Sequence, residues 1–148
     1  MIYPSSLLKI YFAASIRGGR KDRNKYSELI RFLSSKVEVL TEHVGDSSLE
    51  QAGEQNLSDK EIYERDLKWL ESADAVIAEV TNPSLGVGYE LGIAEKLGKP
   101  VLCLFDDSDH NRNLSAMISG NHKITTFRYT SLDQAKEEII SFIHSLSK

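Results

Sequence analysis

The sequence predicts an α/β fold, a doubly wound and mainly parallel sheet of five strands with helices on both faces, flavodoxin-like or Rossmann-like in arrangement. Apolar runs alternate with segments of helical length and period along the 148-residue chain. Because a helical segment separates each pair of strands, right-handed crossovers would make the strands parallel. The strands are predicted at residues 7–13, 37–41, 75–80, 100–105 and 124–129.

The helices are indicated by residues at their ends. Ser58 and Ser131 each precede a Glu or Gln by three residues, which is the capping-box pattern of a helix start. Gly98 precedes a Lys-Pro pair and is a suitable helix stop. The predicted helices run from Asp22 or Asn24 to about Ser35, from Ser58 through Trp69 and Leu70, from near Gly86 to Gly98, and from Ser131 towards the carboxyl terminus.

Composition restricts the class of protein. With 41% hydrophobic and 27% charged residues, the chain has the balance of an ordinary globular domain. No apolar run reaches the roughly 18 residues needed to span a membrane. A net charge of −4 argues against a nucleic-acid-binding surface, which would show a basic patch. Any phosphate bound here is therefore expected on a small molecule.

The amino terminus and the cysteine content predict where the protein acts. The segment MIYPSSLLKIYF lacks the basic start and long apolar stretch of a signal peptide. The single cysteine, Cys103, lies in the apolar run VLCLF and is expected to be a small core residue in a reducing compartment. We therefore predict an intracellular protein, cytoplasmic and with the nucleus as a further possibility.

An anion-binding loop is predicted directly after the first strand, in the segment AASIRGGR. Gly18 and Gly19 allow backbone N–H groups to approach an anion closely. Ser15 adds a hydroxyl, while Arg17 or Arg20 adds a guanidinium suited to phosphate. The segment is neither a Walker loop nor a GxGxxG fingerprint. The alternative is an ordinary turn whose arginines are solvated.

The segment TNPSLGVGYELG follows the third strand and approximates a dinucleotide fingerprint. Leu91 occupies the third glycine position and the segment follows the wrong strand, so NAD binding is rejected. Ser84 lacks the GxSxG context of a nucleophile elbow. Glu90 is predicted in the first turn of a helix, where the helix dipole favours an ionised carboxylate acting as nucleophile or electrostatic stabiliser. Dipole compensation alone is the alternative.

A second carboxylate, Asp66, lies at the edge of the apolar face of the preceding helix. The amino-terminal half of that helix is expected near the carboxyl edge of the sheet, where Glu90 also belongs. Two carboxyl groups that face each other across a crevice are the groups that most glycosidases use to cleave a glycosidic bond. The alternative is a structural salt bridge, to the neighbourhood of Arg65 or to the loop of Arg17.

The histidines show no metal-ligand spacing, so no metal site is predicted. His43 follows the second strand at the carboxyl edge and is a candidate for lining the site; a capping or surface role is the alternative. Tyr11 ends the first strand beside the anion loop. Aromatic residues such as Tyr11 and Tyr26 are otherwise typical of a core.

Several segments together resemble a known family. They are YFAASIRGGR, LTEHV, the run ERDLKWLESADAVIAEVTNPSLGVGYELG, LCLF and LSAM. They resemble the 2'-deoxynucleoside 5'-monophosphate N-hydrolase branch of the nucleoside 2-deoxyribosyltransferase superfamily. The resemblance spans residues 9–146, so residues 1–8 are predicted as an amino-terminal extension and residues 9–148 as one catalytic domain. It implies hydrolysis of the N-glycosidic bond of deoxynucleoside monophosphates, without metal or organic cofactor.

The resemblance also implies roles for individual residues. Glu90 matches the catalytic glutamate that attacks the anomeric carbon, Asp66 the aspartate that assists it, and Tyr11 a tyrosine near the sugar. The LSAM segment matches one that reaches into a neighbouring subunit's site, which implies a homodimer. The substrate-binding residues, some implied and some predicted from position, are Ser15, Ile16, Arg17, Gly18, Gly19, Arg20, Tyr26, His43, Ser84, Gly86, Ser115, Ala116 and Met117.

One position indicates a phosphorylated substrate. Transferases of the superfamily that use unphosphorylated nucleosides carry an acidic residue six positions before the glutamate, where this chain has Ser84. A hydroxyl can donate to a phosphate that a carboxylate would repel. The alternatives left open are a ribonucleotide N-glycosidase of CMP type, a nucleoside 2-deoxyribosyltransferase and a non-catalytic nucleotide-binding module.

Overall fold

The computed structural model describes residues 8–16, 19–43 and 56–147, without the side chain of Arg20. Five parallel strands form one sheet in the order β2-β1-β3-β4-β5, which confirms the predicted doubly wound fold. The predicted amino-terminal extension, except Leu8, and most of the polar loop expected at 43–57 lie outside the described residues. The strands are β1 (Lys9–Ala14), β2 (Glu38–Leu40), β3 (Ala75–Glu79), β4 (Val101–Asp106) and β5 (Thr125–Tyr129).

The helices begin and end close to the predicted residues. The capping box at Ser58 is complete, because its Oγ accepts from Glu61 N–H while the Glu61 carboxylate accepts from Ser58 N–H. The second predicted box forms only in part, since the Gln134 side chain accepts from Thr130 N–H. The helices described are α1 (Arg20–Ser34), α2 (Asp59–Ser72), α3 (Leu85–Lys96), α4 (Ala116–Ser119) and α5 (Leu132–Leu146).

Each face of the sheet is covered by its own apolar cluster. Alternate residues of β1 point to opposite faces, with Phe12 among the residues of α1 and α5 and Tyr11 among those of α2 and α3. Cys103 is fully buried in the second cluster, as predicted for a small core residue. Burying both faces explains why the central strands β1, β3 and β4 are mostly apolar, whereas the edge strands β2 and β5 are partly exposed.

The strand order fixes where a ligand would bind. The chain leaves β1 towards β2 on one side and places β3 on the other, so the order reverses between β1 and β3. In open parallel sheets, the crevice outside the carboxyl ends of the strands at such a point is the usual binding site. Among the described residues, no helix is both long and apolar enough to cross a membrane.

Candidate active site

Tyr11 and Glu90 meet at this reversal point. Tyr11 lies on β1 and is 1% exposed, and its ring centroid is 6.4 Å from that of Trp69 on α2. Its hydroxyl donates a hydrogen bond to Glu90 Oε2 at 2.5 Å. The fixed strand therefore holds one oxygen of the Glu90 carboxylate in place. This is the contact expected of a tyrosine that orients a nucleophile.

Glu90 lies in the second turn of α3, so the prediction of a first-turn position is wrong. The helix begins at Leu85, after Ser84 as the N-cap, and the dipole effect falls off within one turn. Burial raises the pKa of Glu90 to about 7; the hydrogen bond from Tyr11 opposes this rise and the charge of Asp66 adds to it. Glu90 therefore titrates near neutral pH.

Three carboxylates converge at the site. Glu42, Asp66 and Glu90 each offer an oxygen within 4.8 Å of the other two, and Asp66 is 5% exposed. The structure thus brings Asp66 and Glu90 together, as the sequence predicted, and adds Glu42 from the end of β2. Burial raises the pKa of Glu42, and the hydrogen bond and charge of Asp66 raise it further. Burial and the nearby Asp66 charge therefore favour the protonated form of Glu42.

Arg65 neutralises part of this acidic cluster. Its Nε and Nη2 lie 3.0 and 2.9 Å from Asp66 Oδ1, and Nη2 is 3.7 Å from Glu42 Oε2. The guanidinium also lies 4.6 Å above the Trp69 ring. The salt bridge considered as an alternative role for Asp66 therefore exists and coexists with the approach to Glu90. The carboxylate oxygens are close enough for a cation, and Arg65 supplies positive charge at that place.

His43 and Tyr26 lie on the other face of β1, below the crevice. His43 Nε2 is 2.9 Å from the carbonyl oxygen of Ala14, and its ring packs edge-on against Tyr26 with centroids 5.2 Å apart. Burial lowers the pKa of His43 and raises that of Tyr26 to about 12, so both are neutral. Tyr26 is 1% exposed, so its predicted contact with substrate would be confined to the hydroxyl.

The predicted anion loop is described in part. Ser15 is 6% exposed at the end of β1, Ile16 is 66% exposed, and Gly19 is the N-cap of α1. Arg17 and Gly18 lie outside the described residues, as does the side chain of Arg20. The first N–H groups of α1 point towards this loop, which gives the loop the polarity of an anion site.

Ser84 caps α3 and keeps a donor free. Its Oγ accepts from Val87 N–H at 3.2 Å, so the hydroxyl proton remains available to a ligand. A side chain at Gly86 would meet only Ser84 Oγ, at 3.8 Å, which leaves the backbone of the first turn of α3 approachable.

The LSAM segment does not join the carboxylate cluster of its own chain. Ser115 is the N-cap of α4, Ala116 begins it, and Met117 is 81% exposed. Ser84, Ser115 and Met117 line a mainly apolar cavity of about 500 Å³ between α3 and α4, and Glu90 is not among its lining residues. Met117 is therefore largely exposed to solvent in the single chain.

Glu42 is the carboxylate of this cluster that the sequence-based prediction missed. It stands between Thr41, buried at the end of β2, and His43, which was selected because it follows that strand. The same positional argument applies to Glu42, so the signal was present. A single acidic residue after a strand is common, and only the approach of Asp66 distinguishes this one.

Comparison with known proteins gives the relationship. The model of the nucleoside 2-deoxyribosyltransferase family matches residues 10–131. A 5-hydroxymethyl-dUMP N-hydrolase of Mus musculus is 52% identical over 136 residues, covering 91% of this chain and 77% of the relative. A putative 2'-deoxynucleoside 5'-phosphate N-hydrolase 1 of Nematostella vectensis is 57% identical over 114 residues, covering 76% of each chain.

A solved structure agrees in fold. The CMP N-glycosidase of Clostridium botulinum superposes with a TM-score of 0.66, covering 88% of this chain and 97% of the other, at 19% identity. This likeness supports the doubly wound architecture alone. The match to the family model, the identity of the two relatives and the shared fold agree: this chain belongs to the nucleoside 2-deoxyribosyltransferase family.

Proposed function

We propose that the protein hydrolyses the N-glycosidic bond of 2'-deoxynucleoside 5'-monophosphates, releasing a free base and 2-deoxyribose 5-phosphate. The observation that carries the proposal is the half-buried Glu90 carboxylate, held by Tyr11 beside Asp66 at the reversal point of the sheet. The names of the mouse and Nematostella relatives, both N-hydrolases of deoxynucleotides, support this choice.

The chemistry follows from the three carboxyl groups. Ionised Glu90 attacks C1' as the bond to the base breaks, and the bonding electron pair leaves with the base. Protonated Glu42 belongs to this cluster and gives its proton to the departing base. Asp66 accepts the hydrogen bond of that acid and is itself held by Arg65. Water then attacks C1', gives its proton to the Glu42 carboxylate and frees Glu90, with net retention of configuration.

Phosphate recognition orients the sugar over Glu90. Ser15, the amino terminus of α1 and the free hydroxyl of Ser84 lie at the same edge of the sheet. We propose that they bind the 5'-phosphate together with Arg17, Gly18 and the Arg20 side chain, which the described residues do not include. Binding energy from the non-reacting phosphate can then be used to align C1' with the carboxylate. The reaction needs no metal or organic cofactor.

We also propose a homodimer in which residues 115–117 complete the site of the second copy. Leu85 is 96% exposed and Met117 is 81% exposed, both beside the apolar cavity between α3 and α4. Large apolar side chains exposed around one concave surface are typical of an interface. We further propose that residues 9–148 form the single catalytic domain and that the protein acts in the cytoplasm, with the nucleus as a second location.

Substitution of the nucleophile tests the proposal. Glu90→Gln should reduce base release from dGMP by at least about 10³-fold, because the amide cannot form the glycosyl ester. Binding of dGMP, measured by calorimetry, should persist. Glu64→Gln, which changes an exposed carboxylate on α2, is the matched control and should keep full activity. Undiminished turnover by Glu90→Gln would refute the assignment.

A substrate panel separates the related activities. 5-Hydroxymethyl-dUMP is the first compound to test, because the name of the mouse relative specifies it. Base release from deoxynucleotides but not from CMP would distinguish the proposed reaction from ribonucleotide cleavage. Formation of a new nucleotide when a second free base is added would instead indicate a transferase. Binding of a deoxynucleotide without any base release, even during a long incubation, would indicate a non-catalytic module.

A further inference from the structure

A second polar cluster lies on the α1 face of the sheet, away from Glu90. It consists of Asp22 and Lys25 on α1, Glu79 at the end of β3, Asn82 after it and Asp106 at the end of β4; we call it the α1 network. Lys25 Nζ is 3.8 Å from Asp22, 3.7 Å from Glu79 and 3.5 Å from Asp106. The proposed reaction uses none of these groups.

Glu79 is the buried carboxylate of the α1 network. Its side chain is fully buried, and its carboxylate accepts from Thr81 N–H at 3.0 Å, Thr81 Oγ1 at 2.7 Å and Tyr129 Oη at 2.5 Å. A buried carboxylate with this many donors is rigidly held, because losing any one of them would leave charge without compensation. The turn that begins at Thr81 is therefore fixed to the end of β3.

Asn82 connects this turn to α1. Its Nδ2 donates to Asp22 Oδ2 at 2.7 Å and to Tyr26 Oη at 3.3 Å, while its Oδ1 accepts from Arg112 at 2.5 Å. The amide uses its donor and acceptor groups in three directions at once. A carboxylate in the same place could not donate to Asp22.

The two segments that Asn82 joins are the two proposed phosphate-binding segments. Asp22 is in the first turn of α1, directly after the loop that contains Ser15 and Gly19. Ser84 follows Asn82 by two residues and caps α3. Asn82 therefore connects these two segments through its hydrogen bonds to Asp22 and Tyr26 of α1. The ion pairs of Lys25 with Asp22 and Glu79 add to this connection.

We propose that Asn82 is a positioning residue that sets the separation between the start of α1 and the N-cap of α3, and so determines the affinity for the 5'-phosphate. The inference rests on the proposed phosphate site and extends it to a residue outside that site. Asn82 acts through Ser84 and the start of α1, without touching the reacting atoms.

The test compares ligands with and without phosphate. Binding is measured in the Glu90→Gln background, which prevents turnover. There, Asn82→Ala should lower the affinity for dGMP and for inorganic phosphate by about tenfold or more, because one charge-assisted hydrogen bond is lost. Affinity for deoxyguanosine, measured by ligand-observed NMR, should change less than about twofold by the same scale. General damage to the fold would lower the affinity for all three ligands.

An exchanged pair provides the rescue. Asn82→Asp alone places two carboxylates together and should lower the affinity for dGMP. Combining Asn82→Asp with Asp22→Asn restores one donor and one acceptor, so the double variant should recover most of that affinity. Lys136→Ala breaks a 2.7 Å ion pair from α5 to Glu28 on α1, away from this edge, and should leave dGMP affinity unchanged.

Three results would overturn the inference: wild-type dGMP affinity in Asn82→Ala, an equal loss for deoxyguanosine, or no recovery in the exchanged pair while its thermal unfolding matches that of the wild type. The test uses binding alone. A protein that binds dGMP but releases no base would therefore refute the proposed hydrolysis and leave this inference standing.

Discussion

At the scale of single residues, the site is a set of neighbours that alter one another's proton affinity. Glu90 titrates near neutral pH because burial outweighs the hydrogen bond from Tyr11. The pKa of the Tyr11 hydroxyl is raised, first by burial and then by the Glu90 charge, so Tyr11 remains a donor throughout the working range. Glu42, whose pKa is also raised, retains its proton when Glu90 has lost its own.

Removing the Tyr11 hydroxyl should shift the pH profile. The hydrogen bond stabilises ionised Glu90, so Tyr11→Phe raises the pKa of Glu90 further above about 7. Because attack requires the ionised form, the acidic limb of kcat/KM should move up by about one pH unit, the equivalent of one hydrogen bond to a charged group. Tyr63→Phe, at an exposed tyrosine of α2, should leave the limb in place. An unmoved limb in Tyr11→Phe would contradict this account.

Glu42→Gln should identify the proton donor. The amide preserves shape and hydrogen bonding but cannot release a proton, so kcat should fall by about 10²–10⁴-fold, the usual contribution of general acid catalysis. The alkaline limb of the kcat profile, where Glu42 loses its proton, should disappear in the variant. Retention of that limb would assign it to another group. For substrates whose bases depart readily without protonation, kcat should fall the least.

What could be predicted at this scale depended on how a residue was selected. Asp66 was selected because a carboxylate at the edge of an apolar helix face needs a reason, and Glu90 because it follows a glycine-rich turn. Glu42 has neither signature. Its raised pKa arises from burial and from the approach of Asp66, which lies on α2, an element that does not begin until Asp59. The sequence contains no local measure of that distance.

At the scale of secondary structure, the start of α3 serves both the fold and the site. Ser84 Oγ accepts from Val87 N–H, which satisfies one of the unpaired donors at the helix start. This cap does not use the hydroxyl proton of Ser84. The same side chain therefore stabilises the helix that carries Glu90 and offers a donor to the proposed phosphate.

Ser84→Asp should separate these two functions. Aspartate is as good an N-cap as serine, so the free energy of unfolding should change by less than about 0.5 kcal/mol. The added negative charge should lower the affinity for dGMP by at least about tenfold and leave the affinity for deoxyguanosine unchanged. Ser131→Asp makes the same change at the N-cap of α5, and it should alter neither ligand's affinity. Equal loss for dGMP in both variants would refute a specific phosphate contact at Ser84.

The element boundaries show which local signals were sufficient. Ser58 and Gly98 predicted a helix start and a helix end correctly, because a capping serine and a glycine with φ of 73° have local physical causes. The four-residue helix α4 was not predicted, since a single turn has no period to detect. The start of α3 was expected near Gly86 and lies at Leu85, so Glu90 is the sixth residue of the helix and belongs to its second turn.

At the scale of the whole molecule, the strand order decides what the site can be. The alternation of strands and helices predicted a parallel sheet, but not which strands adjoin. The observed order puts β1 between β2 and β3, so side chains following all three strands share one edge. This arrangement brings Glu42 from β2, Tyr11 from β1 and Glu90 from the helix after β3 into one cluster.

Gathering three carboxyl groups should cost the protein stability at alkaline pH. The pKa of Glu90 rises from 4.5 in the unfolded chain to about 7 in the fold, so between these values the folded state binds more protons than the unfolded state. The free energy of unfolding therefore falls as pH rises through this window, and below pH 4.5 the penalty is absent.

Glu90→Gln should remove this penalty. At pH 8 the variant should be more stable than the wild type by about 2 kcal/mol, a shift in Tm of about 5 °C, whereas at pH 4 the two proteins should unfold at nearly the same temperature. Differential scanning calorimetry at both pH values measures the difference, with Glu64→Gln as the exposed control that should show no pH-dependent gain. An equal effect of Glu90→Gln at both pH values would mean that altered packing, rather than the burial of charge, changes the stability.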